Sequence, residues 1–227
     1  MQELLVQDHP VKMNRLQGPK QSFEFVMAKH EGVIRSELEC FIKSGFSQCY
    51  EADLKTFLPL LLGIKTKQLR AAVGVRRASE PLFIEQYLSK PITQVLANHG
   101  ILAERFQIAE MGNLYSQSPR FTLPLIMTVV MGLFLTDVRY LAFSGTHKVR
   151  QLLGTMGFAM THLSSAKAEC VGTAISEWGR YYDNDPEVMV LDIEASIKVA
   201  YQRKEFHGLL SIVQNHSTQL LTSLRSL

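Results

Sequence analysis

The chain has 227 residues, 46% of them hydrophobic, which suits one domain or a domain with an appendage around a sizeable core and excludes a disordered chain. Its formal net charge of +3 comes from scattered lysines and arginines, a balance that makes no case for nucleic acid and leaves an acidic cofactor or carrier protein open. Cys40, Cys49 and Cys170 lie far apart without CxxC spacing or a companion histidine, so no metal site is expected and the thiols read as reduced, in a cytoplasmic setting.

Residues 1–22, with Pro10, Gly18 and Pro19, read as a flexible leader and lack the continuous apolar stretch of a secretory signal. Alternation over 22–30 predicts a first strand. EGVIRSELECFIKSGF predicts an amphipathic helix with Val33, Ile34, Leu38, Phe41 and Ile42 on one side and Gly45 as its stop. Two apolar runs, 57–64 and 69–75, flank the polar KTKQ and predict an antiparallel hairpin. Pro59 would bend its first arm, and Gly74 would permit a close approach or a bulge before Arg76 and Arg77. Paired arginines at a strand end suit a solvated rim or an anion ligand.

In EPLFIEQYLSKPITQVLANHG, Phe83, Ile84, Tyr87 and Leu88 fall at helical spacing, Pro91 breaks the run, and a second short helix ends near Gly100. Glu85 then points either to solvent from the opposite helix face or into a cleft as a carboxylate for an amine.

Residues 105–158 form the centre of the chain. RFQIAEMGNLY predicts a strand over 105–112 with Phe106, Ile108 and Glu110 on one face, so a carboxylate shares a face with large apolar side chains. The polar loop 113–120 leads into an apolar helix over 121–135, with Pro124 in its first turn. That run is too short to span a membrane and reads as a buried core helix. A second strand over 138–144, a turn at Gly145 with Thr146 as cap, and a helix stopped by Gly157 complete a βαβα unit. Its crossover makes the two strands parallel, and ligands bind at their carboxyl ends. There the loop feeds a helix amino-terminus whose free N–H groups suit a phosphate or carboxylate.

Beyond Phe158, residues 159–176 read as strand and loop, and EWGRYYDNDPEVMVLDI as a hairpin turning at 183–186, with Trp178, Tyr181 and Tyr182 as core or rim aromatics. From about 194 the chain is helical, with an apolar stripe of Leu209, Leu210, Val213, Leu220, Leu221 and Leu224 that packs on the domain or pairs with a partner subunit in a homodimer. GxSxG, Walker, GxGxxG and HExxH patterns are missing, which removes hydrolase, NTPase, dehydrogenase and zincin readings. His147 and His162 flank the central unit as cap or surface residues.

AAVGVRRASEPLFIEQYL, AEMGNL at 109–114, SPRFTLPLI and WGRYYDNDPEV together resemble the bacterial thermostable hemolysin family over roughly residues 45–192. That family looks like a branch of the GNAT acyltransferases close to the acyl-homoserine-lactone synthases. The resemblance implies an α/β (α+β) fold, a GNAT-like mixed and splayed central sheet flanked by helices, spanning 23–192 with a helical extension over 193–227. A V-shaped gap between the fourth and fifth strands would admit the pantetheine arm of an acyl-CoA or an acyl-carrier protein. LLGTMGF (152–158) is similar to a common GNAT ending, but Leu153 stands where a tyrosine would be. SQSPR lacks the repeated glycines of the phosphate loop, and Pro119 removes a donor, which suits a carrier protein's single phosphopantetheine better than a free CoA pyrophosphate.

The function so implied is transfer of an acyl group from acyl-carrier protein or acyl-CoA to a small amine acceptor. Glu110 and Glu85 would be catalytic, Met111, Gly112, Asn113 and Arg120 would hold the donor, and Arg76 would bind the acceptor or carrier. A buried partnership with an arginine is the other reading of Glu110. Two further functions compete: a membrane-active hemolysin using 121–135 and the carboxy-terminal stripe, with membrane contact not favoured, and a non-catalytic carrier-binding protein of the same fold. Lysis by an amphiphilic acylated product would join the first two.

Overall fold

The computed structural model describes residues 24–214; the leader 1–22 and Leu220, Leu221 and Leu224 lie outside them. The sheet comprises β1 (Glu24–Ala28), β2 (Leu60–Lys65), β3 (Leu69–Arg77), β4 (Ile108–Ser116), β5 (Tyr140–Gly145), β6 (Met160–Ser165) and β7 (Glu187–Asp192). Their order is β1-β2-β3-β4-β5-β7-β6. Neighbours are antiparallel except β4 and β5, which are parallel. The β2–β3 hairpin and the βαβα unit are therefore as expected.

One face of the sheet is covered by α3 (Pro119–Phe134), against which α6 (Ile193–Gln202) packs. Leu125, Ile126, Val129, Val130 and Leu133 of α3 are fully buried. Leu209, Leu210 and Val213, from a helical stretch over 207–214, join the same core. At 1.5 Å per residue α3 is about 24 Å long, short of a hydrocarbon layer. Among the described residues no helix is long and apolar enough to cross a membrane.

The helix starts earlier than expected because β4 runs on to Ser116, which shortens the expected loop 113–120 to its last few residues. Pro119 then occupies the first turn, and Pro124 lies inside the helix with its carbonyl accepting the Thr128 hydroxyl at 2.8 Å.

On the opposite face lies α1 (Val33–Tyr50), burying Leu38, Ile42, Gly45 and Phe46 at helical spacing. Gly45 is a contact residue and not the expected stop: a Cβ there would lie 2.2 Å from the Tyr115 ring, and the helix continues to Tyr50. Val33 and Ile34, predicted on the buried side, are exposed.

The hairpin expected over 177–193 also differs. Its first arm is α5 (Ile175–Trp178) and a 3-10 turn at Tyr181–Asn184, and β7 inserts between β5 and β6. Period-two alternation fixes which face a residue takes and leaves the neighbour open, so this insertion is not written in the local pattern. Between β3 and β4 come a 3-10 turn at Phe83–Tyr87 and α2 (Ile92–Asn98); α4 (His147–Thr155) follows β5 from Thr146 at its N-cap and closes before Gly157, at φ 75°.

Candidate active site

Pairing of β4 with β5 runs from Ile108↔Tyr140 to Met111↔Phe143 and stops. Farther on, β4 continues to Ser116 on β3 alone, while Ser144 and Gly145 of β5 pair with Val188 and Glu187 of β7. The cause is visible in the β3–β4 ladder. Gly74 faces Gly112 and Ala72 faces Tyr115, so Asn113 and Leu114 together oppose Val73 in a bulge that bends β4 away.

Asn113 holds a left-handed φ of 51°. Its Oδ1 accepts the Leu58 N–H at 2.8 Å and its Nδ2 donates to the Thr56 carbonyl at 3.1 Å, which ties the bulge to the irregular segment 51–59. Gly74 makes room for this knot, since a Cβ there would meet Leu58 Cβ at 2.8 Å and Asn113 Oδ1 at 3.0 Å. The wedge expected between these strands is present, with its tip at Met111 and Phe143.

A cavity of about 230 Å³ fills the wedge and reaches the α1 face of the sheet. Met111, Gly112, Asn113 and Leu114 line one side and Phe143, Ser144, Gly145 and Thr146 the other. At its base sits Glu110, 1% exposed. Glu110 Oε2 accepts the Phe83 N–H at 3.0 Å and Oε1 the Ile84 N–H at 2.9 Å, so the carboxylate anchors the 3-10 turn from β4. Burial pushes the Glu110 carboxyl above the ordinary carboxylate range; the two amide donors and Arg76 offset part of that.

Arg76 is the cross-strand partner of Glu110, with its Nε 3.7 Å from Glu110 Oε2. Its Nη1 donates to the Pro81 carbonyl at 3.1 Å, while its Nε is buried without a hydrogen-bond partner. Arg77 points elsewhere and pairs with Asp137.

The other expected site residues fall outside the cavity. Glu85 is tied to Arg105 at 2.8 Å and accepts the N–H groups of Leu82 and Ile92, both at 2.9 Å. Burial opposes its charge, but Arg105 and these amides outweigh it and hold the carboxyl below the ordinary range. It thus secures the turn that Glu110 anchors from the other side. Arg120 is exposed in the first turn of α3, its guanidinium 5.8 Å from the Phe121 ring. Glu110, Arg76, Met111, Gly112 and Asn113 are brought together.

Sequence reasoning missed the aromatic wall. Phe46 and Tyr50 of α1, Phe83 and Tyr87 of the 3-10 turn, and Trp178 and Tyr181 line the same cavity. Their rings touch: Phe83–Trp178 centroids are 5.3 Å apart and Trp178–Tyr181 5.2 Å. The Tyr181 hydroxyl donates to the Ser144 carbonyl at 3.3 Å, at the β5 end left without a β4 partner. Burial pushes this hydroxyl far above the ordinary tyrosine range, so it stays protonated. Segment 177–180 is held against α1 and the irregular segment by Arg180 N–H to Tyr50 O at 2.6 Å and Asp53 N–H to Glu177 O at 2.8 Å. A cluster of aromatics within WGRYY was the available signal, but only the folded chain brings it to Phe46 and Phe83.

Among the described residues no cluster of His, Cys, Asp and Glu is arranged to hold a metal. The arrangement offers a slot for a slender arm, backbone groups of β4 beyond Met111 that lack a β5 partner, a desolvated carboxylate and a buried hydroxyl.

A family model described as Thermostable hemolysin matches residues 28–197. No curated protein matches the chain in sequence. Among solved structures, the chain is similar to the AHL synthase LasI, with a TM-score of 0.57 at 12% identity, covering 83% of this chain and 96% of that one. FeeM, an N-acyl amino acid synthase from uncultured soil microbes, gives 0.54 at 16% identity over 81% and 98%. BjaI, a CoA-dependent acyl-homoserine lactone synthase solved with SAM and isopentyl-CoA, gives 0.53 at 12% over 85% and 89%. Identities this low establish a shared fold: the mixed, splayed sheet flanked by helices.

Proposed function

The chain belongs to the thermostable hemolysin family, and on that premise we propose that it is an N-acyltransferase, moving an acyl group from acyl-carrier protein or acyl-CoA to a small amine. The observation that carries this is the end of β4–β5 pairing at Met111↔Phe143, directly above a buried carboxylate. The slot so opened suits a pantetheine arm, and the AHL and N-acyl amino acid synthases that share the fold are named for acyl transfer to amines.

In this reading the thioester lies along the wedge, its carbonyl oxygen against the backbone N–H groups of 111–113. Such donors stabilise a developing oxyanion by about 2.7–4 kcal/mol each. The acceptor's ammonium gives one proton to Glu110, whose desolvated carboxylate is the stronger base for its burial. The freed amine attacks the thioester carbon, the N–C bond forms, and the C–S bond breaks. The departing sulfur receives a proton from Tyr181, which takes the second amine proton in turn. Glu110 returns its proton to solvent. Met111, Gly112 and Asn113 flank the donor, Arg76 and the 3-10 turn held by Glu85 orient the acceptor, and Arg120, exposed at the start of α3, meets the carrier's phosphate. A cytoplasmic setting, where such donors are made and used, goes with this reading.

The test is a mass-spectrometric search for amide products, using purified protein with acyl-carrier protein and acyl-CoA donors against a panel of amines. Amide formation that falls about 10²-fold or more in Tyr181→Phe, within the range of acid–base contributions, is expected. The absence of any product, with no binding of either donor, removes the proposal. An acyl chain joined to a polar head is an amphiphile, which connects the family's name to lysis. Dye should leave liposomes on addition of the complete reaction mixture and stay inside with protein alone; release by protein alone would favour direct lysis.

A further inference from the structure

The acceptor half of the cavity contains an ion pair whose hydrogen bonding is incomplete. Arg76 and Glu110 stand side by side on adjacent strands, 22% and 2% exposed at the side chain, yet they are not hydrogen-bonded to each other at 3.7 Å. Both Glu110 oxygens already accept backbone N–H groups, and the Arg76 Nε has no acceptor. A buried guanidinium donor left bare costs about 1–3 kcal/mol, more than most folds leave unanswered without reason. Its planar fork matches a carboxylate in two parallel hydrogen bonds.

A ligand that supplied only an anion to Arg76 would place it against the Glu110 carboxylate. A simple amine would bring its cation against Arg76. A molecule carrying both charges one carbon apart satisfies both groups without adding net charge. The other charged residues lining the cavity are Lys55, which is paired with Asp53, and Glu177, on the short helix that carries Trp178. Phe83, Tyr87 and Trp178 provide the apolar surface beside this pair.

We propose that the cavity takes a zwitterionic α-amino acid with an apolar side chain, its carboxylate on Arg76, its ammonium on Glu110 and its side chain against the aromatic wall. This rests on the acyltransferase reading for what happens next, and names the acceptor as an amino acid and the product as an N-acyl amino acid.

Binding and transfer separate the two ideas. Calorimetric titration of the full chain, with and without a non-hydrolysable acyl-CoA analogue, compares L-phenylalanine with 2-phenylethylamine and 3-phenylpropionate, and L-leucine with isopentylamine. At least one amino acid is expected to bind tenfold or more tighter than its single-charge analogues, and Arg76→Gln is expected to erase its advantage over the amine. If that variant fails to fold, the comparison on the unsubstituted chain decides alone. Equal binding of amine and amino acid, or no binding of any of the five, overturns the inference. Acyl transfer to 2-phenylethylamine as readily as to L-phenylalanine overturns it too, while leaving N-acyl transfer standing. Selective amino-acid binding without transfer to any acceptor supports it and removes the acyltransferase reading.

Discussion

The two faces of the sheet are built on opposite principles. Under α3 the contacts are Leu125, Ile126, Val129, Val130 and Leu133 on Leu60, Leu62, Val73, Val75 and Leu141, and the buried hydroxyl of Thr128 is satisfied within its own helix. Under α1 and the 83–87 turn, the buried side chains include Glu110 and the ring cluster, with Arg76 and Asn113 close by and a cavity among them. One strand serves both: Ala109 and Met111 join the apolar cluster, while Ile108 and Glu110 look the other way. The lesson is that period two lets a single strand carry stability on one side and chemistry on the other, so substitutions at adjacent residues of β4 should fail differently.

The sharpest break of this comparison is Glu110→Gln against Ile126→Ala. Glu110→Gln should lower turnover by about 10²- to 10⁴-fold, the usual contribution of a positioned acid or base. Because Gln offers one oxygen to two N–H groups, it should also cost about 1–3 kcal/mol of stability. Ile126→Ala should cost about 2–5 kcal/mol in urea unfolding and leave turnover per folded molecule unchanged. Equal loss of turnover in both variants would dissolve the division of faces.

A smaller effect sharpens the role of the bulge. Asn113→Gly keeps the left-handed backbone but loses two side-chain bonds, each worth about 0.5–1.5 kcal/mol. Asn113→Ala loses the same bonds and keeps a Cβ at positive φ that glycine is spared, so it should be less stable than Asn113→Gly by about 1–2 kcal/mol. Amide exchange at Leu58, whose N–H rests on Asn113, should quicken in both. Unchanged exchange there would mean that the segment 51–59 is held by other contacts.

Much of this division is legible in the sequence. Alternation in RFQIAEMG put Glu110 among apolar side chains, and the KTKQ spacer and Pro91 set the hairpin and the break before α2. Gly74 announced a bulge, though not that its partner would be Asn113. The rest depended on contacts between distant segments. Phe106, in phase with Glu110, sits in a 3-10 turn before β4 and is 53% exposed, because the strand begins at Ile108. The opposing fates of Glu110 and Glu85 turn on the deeper burial of Glu110 and on Arg105, which bonds Glu85 directly at 2.8 Å while Arg76 stands 3.7 Å from Glu110, and no local pattern sets either. Trp178 and Tyr181 acquire meaning only where β7 inserts beside β5 and carries them over the wedge.

Those two glutamates supply the smallest and most discriminating measurement. Glu85 is held below the ordinary carboxylate range, so its stabilisation is present above that range and is lost as pH falls through its folded value. Glu110 is pushed above it, so the folded chain holds that proton more tightly, and the contribution is present below the ordinary value and lost as pH rises through the folded one. At neutral pH, Glu85→Gln should cost about 1 kcal/mol, since one neutral amide replaces a charge-assisted acceptor. Urea unfolding at neutral and mildly acidic pH should then show the gap between the unsubstituted chain and Glu85→Gln shrinking on acidification, while the gap to Glu110→Gln widens. Gaps moving in the same direction would mean that the two ends of the 83–87 turn share one environment, and Glu110 would lose its standing as the desolvated base of the wedge.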